Sequence, residues 1–460
     1  MNAQEILIAM LPEHLLLAGI VLLLCLEIAP GRARGAFAIS LLAVASATVA
    51  AIWLFAIGYA AEPFAGQYSV DPVASLGKAI VLALAVLVLL ISRGELTQRA
   101  FPVLLLSSLY GVCLLLSSDT FLTLFLGLEL MSLPVYVLVL LAFRRPESAE
   151  AALKYLVLGG TASATLLMGV SLLYGASGSL SLDVFAEAIE SPGTMAGVAV
   201  ALVVVSFFLK AAIVPFHAWA PDAYEAATVP VTAYMSTIVK AGVLLAAVRV
   251  FGGVPLSSPT TELVALLPLL SIVWGNLAAM RQQSFRRMIA YSSIAHAGYL
   301  FYAFLGDGAG RFQAVAFYVL VYGLMNILAF AVLPQNADDA ARDRLDNLKG
   351  LFRRDRFAAL MIAIAMLSLA GIPPFPGFVA KFLIFKNVFA AGYTLYAVLG
   401  LVGSYLGIYF YLRVIQYLFM STEEGAPQQP PERLALGAGF ICLVASILLA
   451  VFPGWVLGLS

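Results

Sequence analysis

Charged residues are scarce in this chain, and the residues that usually bind metals or cofactors are scarcer still. Aspartate, glutamate, lysine and arginine make up 11% of the 460 residues, against roughly 25% in soluble domains. The formal net charge is zero, so no basic or acidic excess points to nucleic acid. The three cysteines form no C-x-x-C pair and the three histidines are scattered, which excludes a metal cluster, a haem attachment site and a disulfide framework. A phosphate-binding glycine loop and a dinucleotide fingerprint are also missing.

Apolar residues, by contrast, dominate the chain and occur in long runs. They make up 63% of it, and a helix needs roughly 20 of them to cross ~30 Å of hydrocarbon. We therefore expect an all-α polytopic membrane protein with about fourteen transmembrane helices, short loops and no attached soluble domain. The expected spans are residues 8–29, 36–60, 72–92, 101–117, 120–142, 149–174, 195–219, 228–251, 261–280, 285–305, 311–333, 357–386 (interrupted), 393–420 and 434–457. Short surface helices are expected at 180–190 and 338–356.

Basic residues alternate between the loops and so predict the orientation. The odd-numbered loops one, three, five, nine and eleven contain Arg32, Arg34, Arg93, Arg99, Arg144, Arg145, Arg281, Arg286, Arg287, Arg342, Arg344, Lys349, Arg353, Arg354 and Arg356. The even-numbered loops contain almost none. Because basic loops stay in the cytoplasm, the odd loops should be cytoplasmic and both termini should lie outside.

Two related motifs interrupt the apolar spans seven and twelve. The segments Ile213–Trp219 and Ile372–Phe378 both place proline and small residues in the middle of a span, where proline breaks a helix. They are five spans apart, and an odd offset makes the two units run in opposite directions through the membrane. Each break has a lysine close by, Lys210 and Lys381. Broken helices at matching positions of inverted repeats indicate a transport site; proline in a single transmembrane helix would alone mean little.

Charged residues lie deep inside several spans. Glu129 comes ten residues after Asp119, about 15 Å along a helix, and Lys240 lies about 18 Å inside span eight by the same rise. Lys210 is central in span seven. A charge at the bilayer centre costs at least ~2.5–3.5 kcal/mol, so these residues indicate a proton or ion relay. The alternative for Glu129 is a protonated, hydrogen-bonded structural carboxyl group.

The other ionisable residues have stronger structural alternatives. Lys154 is nearer the cytoplasmic end of span six, where its side chain could reach the interface. We interpret Lys78, close to the start of span three, as such an interface residue. His217 follows the first break and His296 lies within span ten; each could exchange a proton near neutral pH or simply pack through hydrogen bonds.

The motifs resemble one known family. The strings Gly127–Tyr136, Ala152–Tyr155, Val214–Glu225 and Thr228–Ser236, with Lys240, look like the N-type antiporter-like subunits of proton-pumping NADH–quinone oxidoreductase, respiratory complex I. The resemblance implies fourteen helices, with spans four to eight and nine to thirteen as inverted five-helix repeats. The chain would then divide into a three-helix segment (1–100), a first repeat (101–251), an inverted second repeat (261–420) and a C-terminal helix (434–460).

The resemblance also implies a proton channel without a redox centre. By motif position, the channel residues would be Glu129, Lys154, Lys210, Lys240 and Lys381, with His217 and His296 along the polar axis. NADH, flavin, iron–sulfur clusters and quinone would be handled by other subunits.

The resemblance further implies membrane partners, namely the L-, M-, K-, J- and A-type chains, in the inner membrane of a bacterium. Lysine rather than glutamate at position 381 argues against the M-type chain. The lack of a long helix after span fourteen argues against the L-type chain.

Two other functions remain open at this point. The first is a subunit of a multi-subunit cation/proton antiporter, which shares the repeat and would depend on sodium. The second is a structural membrane subunit that couples its neighbours without conducting, against which the buried charges argue.

Overall fold

The structure is a computed structural model that describes residues 3–28, 32–98, 100–142, 146–190, 193–252, 256, 258–306, 308–333, 344–420 and 432–458. Nearly all regular structure in this part is helical. The helices are α1 Ala3–Ala9, α2 Leu11–Ile28, α3 Arg32–Ala56, α4 Pro72–Ile91, α5 Phe101–Leu116, α6 Phe121–Leu140, α7 Pro146–Ser177, α8 Asp183–Glu190, α9 Thr194–Ala211, α10 Trp219–Ala226, α11 Val229–Tyr234, α12 Lys240–Phe251, α13 Ser258–Ala279, α14 Phe285–Tyr302, α15 Gly308–Phe330, α16 Leu351–Arg354, α17 Arg356–Ala370, α18 Pro376–Ala390, α19 Thr394–Phe419, α20 Arg433–Val451 and α21 Gly454–Leu457.

Among the described residues, twelve helices are long and apolar enough to cross a bilayer. Two shorter apolar helices, α5 and α17, coincide with two further predicted spans. The expected class, an all-helical multi-pass membrane protein, is confirmed, whereas a total of fourteen crossings stays a prediction.

The helices form an inner group surrounded by an outer layer. The continuous stretch from α11 to α12, and α14 and α15, are buried along almost their whole length, and a helix that is apolar all round belongs in such a position. The outer helices α2, α7, α19 and α20 expose large apolar side chains, as a lipid-facing surface requires. Polar residues on the inner helices therefore lie inside protein rather than facing lipid.

Both predicted break regions interrupt helical structure. Helix α9 ends at Ala211 and α10 begins at Trp219; α17 ends at Ala370 and α18 begins at Pro376. The first residue after each ended helix is left-handed, with φ of 63° at Ala212 and 79° at Gly371, which is a common way to terminate a helix. Each segment also contains a cis peptide bond before proline.

A third irregularity precedes the central lysine of span eight. Met235–Val239 form a π-helical segment between α11 and α12, so Lys240 is the first residue of α12. Single π turns inside α-helices are frequent at functional sites.

The loops contain structure that was only partly expected. Helix α8 lies in the predicted surface helix at 180–190, and Leu345–Leu348 and α16 are short helices in the charged loop. The small hairpin formed by strands β1 Ala61–Phe64 and β2 Tyr68–Val70 was not predicted. Arg99, Arg144, Arg145, Arg342 and residues 338–343 of the charged loop lie outside the described residues.

Candidate functional site

Glu129 and Lys210 form an ion pair between α6 and α9. Lys210 Nζ lies 3.1 Å from Glu129 Oε1, and the two side chains are 7% and 21% exposed. The Ser163 hydroxyl donates to the same carboxylate oxygen, and Lys210 also donates to Ser132 Oγ at 3.3 Å. Taking two charges out of water is tolerated only when such pairing and hydrogen bonds compensate. The structure therefore brings together two deep charges that the resemblance to the family implies as partners.

The first break supplies further stabilisation for Lys210. This lysine is in the last turn of α9, where the helix dipole favours a positive charge. The chain beyond the break satisfies the freed backbone groups: the Trp219 indole donates to the Leu209 carbonyl at 3.0 Å, and the Val214 N–H donates to Ser271 Oγ at 2.7 Å. Backbone polar groups at this depth require such partners.

Lys240 has only neutral hydrogen-bond acceptors in the part of the chain that the structure describes. It is 6% exposed and donates to the Ser293 carbonyl oxygen at 2.7 Å and to the Ser293 hydroxyl. The Tyr224 hydroxyl lies 3.4 Å from the same Ser293 oxygen. An ammonium group here is thus desolvated without a carboxylate to offset the cost, which makes its charge conditional on its neighbours.

His296 lies between two tyrosine hydroxyls. Its Nδ1 is 2.8 Å from Tyr318 Oη and its Nε2 is 3.1 Å from Tyr411 Oη, and Tyr411 Oη is 2.5 Å from Ser292 Oγ. A neutral imidazole has one donor and one acceptor nitrogen, so one tyrosine accepts and the other donates. Exchanging these roles moves a proton across the ring. The sequence did not reveal either tyrosine as a partner, because they are 22 and 115 residues away.

Lys381 lies at the second break. It is 8% exposed and donates to the Ala370 carbonyl at 3.0 Å and to Ser404 Oγ at 3.1 Å. Its Nζ is also 4.9 Å from the centre of the Tyr299 ring, a distance suited to a cation–π contact. Ala370 is the last residue of α17, so the ammonium lies at the negative end of a helix dipole.

Lys154 belongs to a more exposed cluster at the predicted cytoplasmic surface. It is 45% exposed and pairs with Glu150 and Asp222, each at 2.7 Å. Arg287 Nη1 lies 2.8 Å from Asp222 Oδ1 and 2.9 Å from Glu225 Oε2, so it links the two carboxylates. These side chains line an open cavity of about 300 Å³.

The electrostatics of Asp222 depend on this cluster. Partial burial alone would raise the pKa of its carboxyl group, but the hydrogen bonds from Lys154 and Arg287 outweigh that effect and lower the pKa below its usual value. Asp222 is therefore an anion held between two cations.

His217 lies apart from the buried lysines. Its Nε2 accepts a hydrogen bond from the Trp274 indole at 3.1 Å, and Trp274 is half exposed on α13. The structure thus brings Glu129 to Lys210 and packs α14, with His296, against α18, with Lys381. His217 lies within the first break and contacts Trp274 of α13 instead.

The interpretation of Lys78 as an interface residue is wrong. This lysine is 1% exposed and pairs with Glu13, which is fully buried, at 2.6 Å. An interfacial lysine keeps its charged end in water, whereas this one has its charge compensated inside the protein. The error arose because Glu13 comes 65 residues earlier in the chain and no spacing rule connects them.

The sequence is similar to known proteins over nearly its whole length. The sequence profile of the family described as "NADH:quinone oxidoreductase/Mrp antiporter, TM" matches residues 118–407. NADH-quinone oxidoreductase subunit N of Pelobacter propionicus is 37% identical over 465 residues, covering 99% of both chains. The chain belongs to the NADH-quinone oxidoreductase subunit N family.

Solved structures agree with membership of the subunit N family. A chain of respiratory complex I from Thermus thermophilus matches with a TM-score of 0.83 at 36% identity, covering 98% of this chain and 99% of that one. A chain of the Mrp complex from Dietzia sp. matches with a TM-score of 0.85 at 22% identity, covering 100% and 96%; at that identity the likeness concerns the fold alone. The resemblance inferred from the motifs is confirmed, and so is the antiporter-like membrane fold.

Proposed function

We propose that this chain is a proton-translocating membrane subunit of an NADH–quinone oxidoreductase. In this proposal Glu129, Lys154, Lys210, Lys240 and Lys381 form the relay, with His217 and His296 as further proton carriers. The observation that carries the proposal is the Glu129–Lys210 ion pair, in which the lysine is 7% and the glutamate 21% exposed. A single carboxylate that decides whether a buried lysine keeps its charge is the simplest element of a proton switch.

The switch works through compensation of charge. While Glu129 is ionised, Lys210 keeps its proton. When Glu129 accepts a proton or moves away, the Lys210 ammonium becomes an uncompensated buried charge and releases its proton to the next group. Lys240, His296 and Lys381 follow, each bonded to neutral hydroxyl or carbonyl groups that can reorient. The cluster around Lys154 and Asp222 supplies protons from the cytoplasmic surface.

The architecture expected from the sequence belongs to the same proposal. Residues 101–251 and 261–420 are inverted five-helix repeats with a break in each, flanked by the segments 1–100 and 434–460. The chain lies in a bacterial inner membrane with both termini outside. It assembles with L-, M-, K-, J- and A-type membrane chains, and binds no redox cofactor itself, since NADH, flavin, iron–sulfur clusters and quinone are handled elsewhere in the complex.

Substitution of Lys240 tests the proposed function. We expect Lys240→Ala to leave assembly intact and to reduce proton pumping strongly in the complex reconstituted into vesicles. Lys349→Ala, in an ion pair of the charged loop with Asp346, is the matched control and should pump normally. Unchanged pumping per electron in Lys240→Ala would refute the relay and would favour a non-conducting structural subunit.

Labelling tests the orientation. A cysteine placed at Lys349 should react with a membrane-impermeant maleimide only from the cytoplasmic side. Reaction only from the outside would contradict the topology.

A cation/proton antiporter subunit is the second candidate, because the Mrp chain shares the fold. Sodium-dependent proton movement, absent in potassium or choline media, would support it. Copurification with subunits that contain flavin and iron–sulfur clusters would support the first candidate instead.

A further inference from the structure

A second group of buried charges lies outside the proposed relay, between α2, the hairpin and α4. Glu13 Oε1 accepts a hydrogen bond from Tyr68 Oη at 2.6 Å and pairs with Lys78 Nζ at the same distance. Lys78 also donates to Tyr68 Oη at 2.9 Å. All three side chains are buried, so they form a closed triad, which we call the Glu13 triad.

An ion pair between α4 and α12 fixes the depth of the triad. Arg249, near the end of α12, contacts Asp71, the N-cap of α4, at 2.8 Å. Lys78 comes seven residues after Asp71, about 10 Å along α4, and Lys240 comes nine residues before Arg249, about 14 Å along α12, at 1.5 Å per residue. The backbone of Lys78 is therefore almost as deep as the central lysine, while Glu13, in the first turn of α2, and Tyr68, in the hairpin, place the polar atoms of the triad towards the predicted outer end.

The triad is incompletely hydrogen-bonded. Glu13 Oε2 is buried and has no hydrogen-bond partner among the residues that the structure describes. Ser75 Oγ, one turn before Lys78 on α4, is likewise buried without a partner in the described part of the chain. An ionised carboxylate oxygen left without a donor costs free energy, so Oε2 is a position that favours an added proton or a water donor.

A second polar cluster adjoins the triad along strand β2, at the predicted outer surface. Ser69, next to Tyr68 in strand β2, donates to Asp119 at 3.0 Å. Arg249 donates to Asp119 at 2.8 Å and also to Ser69, and both Asp119 and Arg249 are partly exposed. Burial, with a further contribution from Glu13, raises the pKa of Tyr68 well above its usual value; its phenol therefore stays protonated and serves as a hydrogen-bond donor.

Towards the interior, the triad is bounded by apolar side chains. A Cβ atom at Gly77, the residue before Lys78, would lie 3.4 Å from Leu116 and 3.6 Å from Leu245. Leu245 is five residues beyond Lys240 on α12. These apolar side chains pack against α4 next to Lys78, on the side of α12.

We propose that the Glu13 triad is an outer proton-release site. The inference rests on the proposed function. One proton coming from the interior binds to Glu13 Oε2, which converts the carboxylate to an acid and ends its ionic attraction for Lys78. The same proton then leaves to solvent on the side of the partly exposed Asp119, and the ion pair with Lys78 forms again. No bond other than the O–H bond forms or breaks, and no electron is transferred.

Neutral substitutions in the assembled complex distinguish a proton-release site from a static clamp, that is, an ion pair that only holds α2 against α4. Glu13→Gln keeps the shape and the acceptor oxygen but cannot take up a proton, so pumping should fall about tenfold or more, as expected for loss of an acid–base group. Glu13→Asp should restore most of it. The double variant Glu13→Gln with Lys78→Met should pump no better than Glu13→Gln. Glu95→Gln, a buried carboxylate near the other end of α4, is the matched control and should pump normally.

The outcomes separate the hypotheses. A clamp predicts that the double variant recovers wild-type pumping, because removing both charges of a buried pair is often neutral or stabilising; that result would overturn the proposal. Wild-type pumping in Glu13→Gln would also overturn it, and so would failure of both variants to assemble, which would assign the pair a structural role. If Lys240→Ala stops pumping while Glu13→Gln does not, only the release site is wrong; if Lys240→Ala pumps normally, the proposed function itself fails. A difference infrared spectrum on NADH addition should lose a protonated-carboxyl band in Glu13→Gln.

Discussion

The two halves of the proposed relay, which run up to Lys210 and from Lys240 onwards, hold their lysines in different ways. In the first half, Lys210 contacts the carboxylate of Glu129. In the second half, Lys240 and Lys381 donate to carbonyl and hydroxyl oxygens, and Lys381 also faces the ring of Tyr299. A lysine paired with a carboxylate depends on one partner, whereas a lysine held by neutral dipoles depends on the arrangement of several groups. Control of the relay is therefore concentrated in the first half and distributed in the second.

The halves share one device despite this difference. Each break places a lysine at the C-terminal end of a half-helix, Lys210 in the last turn of α9 and Lys381 against the last carbonyl of α17. The freed carbonyl of the first break is satisfied by a neutral indole, from Trp219, and that of the second by the ammonium itself. At the second break, therefore, the Lys381 ammonium both takes part in the proposed relay and satisfies the last carbonyl of α17.

The largest effect should come from breaking the pair of the first half. We expect Glu129→Ala, Lys210→Ala and the double variant to lose pumping to a similar, nearly complete degree, because residues that act as one unit give non-additive losses. Pumping in the reconstituted complex measures the cycle, and Ser206→Ala, one turn before Lys210 on α9, is the control. Additive losses, with partial activity in each single variant, would mean that the two residues work independently.

The next largest effect should distinguish the two breaks. In Gly371→Ala a Cβ atom would lie 2.8 Å from Lys381 Cδ at a φ of 79°, so the left-handed conformation costs roughly 1–2 kcal/mol and the lysine is displaced; both thermal stability and pumping should fall. Ala212→Gly relieves the same backbone cost but removes a buried methyl group worth about 0.8 kcal/mol, so its stability should stay close to wild type. Equal effects at both positions would show that the breaks are interchangeable. Thermal inactivation of the purified complex, read beside pumping, provides the measurement.

A smaller effect is expected in the distributed half. Tyr318→Phe and Tyr411→Phe each remove a hydroxyl from His296 and leave a buried nitrogen without its partner, at a cost of about 1–3 kcal/mol. A cost near the lower end of that range, added to the barrier for proton transfer, should lower the pumping rate about tenfold. Tyr405→Phe, on the exposed face of α19, should have no effect. Pumping at the wild-type rate in both variants would exclude His296 from the relay.

The smallest effect should come from the cytoplasmic cluster. Lys154→Ala removes a half-exposed ion pair, which water and salt screen, and Arg287 still contacts Asp222, so pumping should fall about twofold at most. Because the pKa of Asp222 is lowered, its pairing is complete above the ordinary pKa of an aspartate and is lost only as the pH falls through the lowered value; the small loss should therefore be constant around neutral pH. A loss as severe as that of Lys240→Ala would mean that Lys154 is as indispensable to the relay as the buried lysine, and that its exposure does not soften the effect.

Helix positions and deep charges were predictable from the sequence for simple reasons. Long apolar runs have few alternatives in a membrane protein, and proline marks the breaks that follow Ala211 and Ala370. Deep lysines such as Lys240 stand out against an apolar background. These signals are local in the chain, so a single sequence contains them.

Apart from the Glu129–Lys210 pair, which the resemblance to the family implies, the partners of these charges could not be predicted. Lys78 was misread because its partner Glu13 lies on another helix, and the hydroxyl groups around His296 belong to α15 and α19. Tyrosine and serine are common in helix interfaces, so their presence alone does not identify a contact. Packing between distant helices decides which of them meet.

The bond between Lys381 and Ala370 has a mechanical consequence. The ammonium that closes the end of α17 is attached to α18, so it acts as a latch between the two halves of a broken span. A proton that leaves this nitrogen removes the charge that the helix end attracts, and the latch loosens. Conversely, a movement of α17 relative to α18 changes the hydrogen bond between Lys381 Nζ and the Ala370 carbonyl. In the proposed relay, the relative position of α17 and α18 is therefore coupled to the protonation of Lys381.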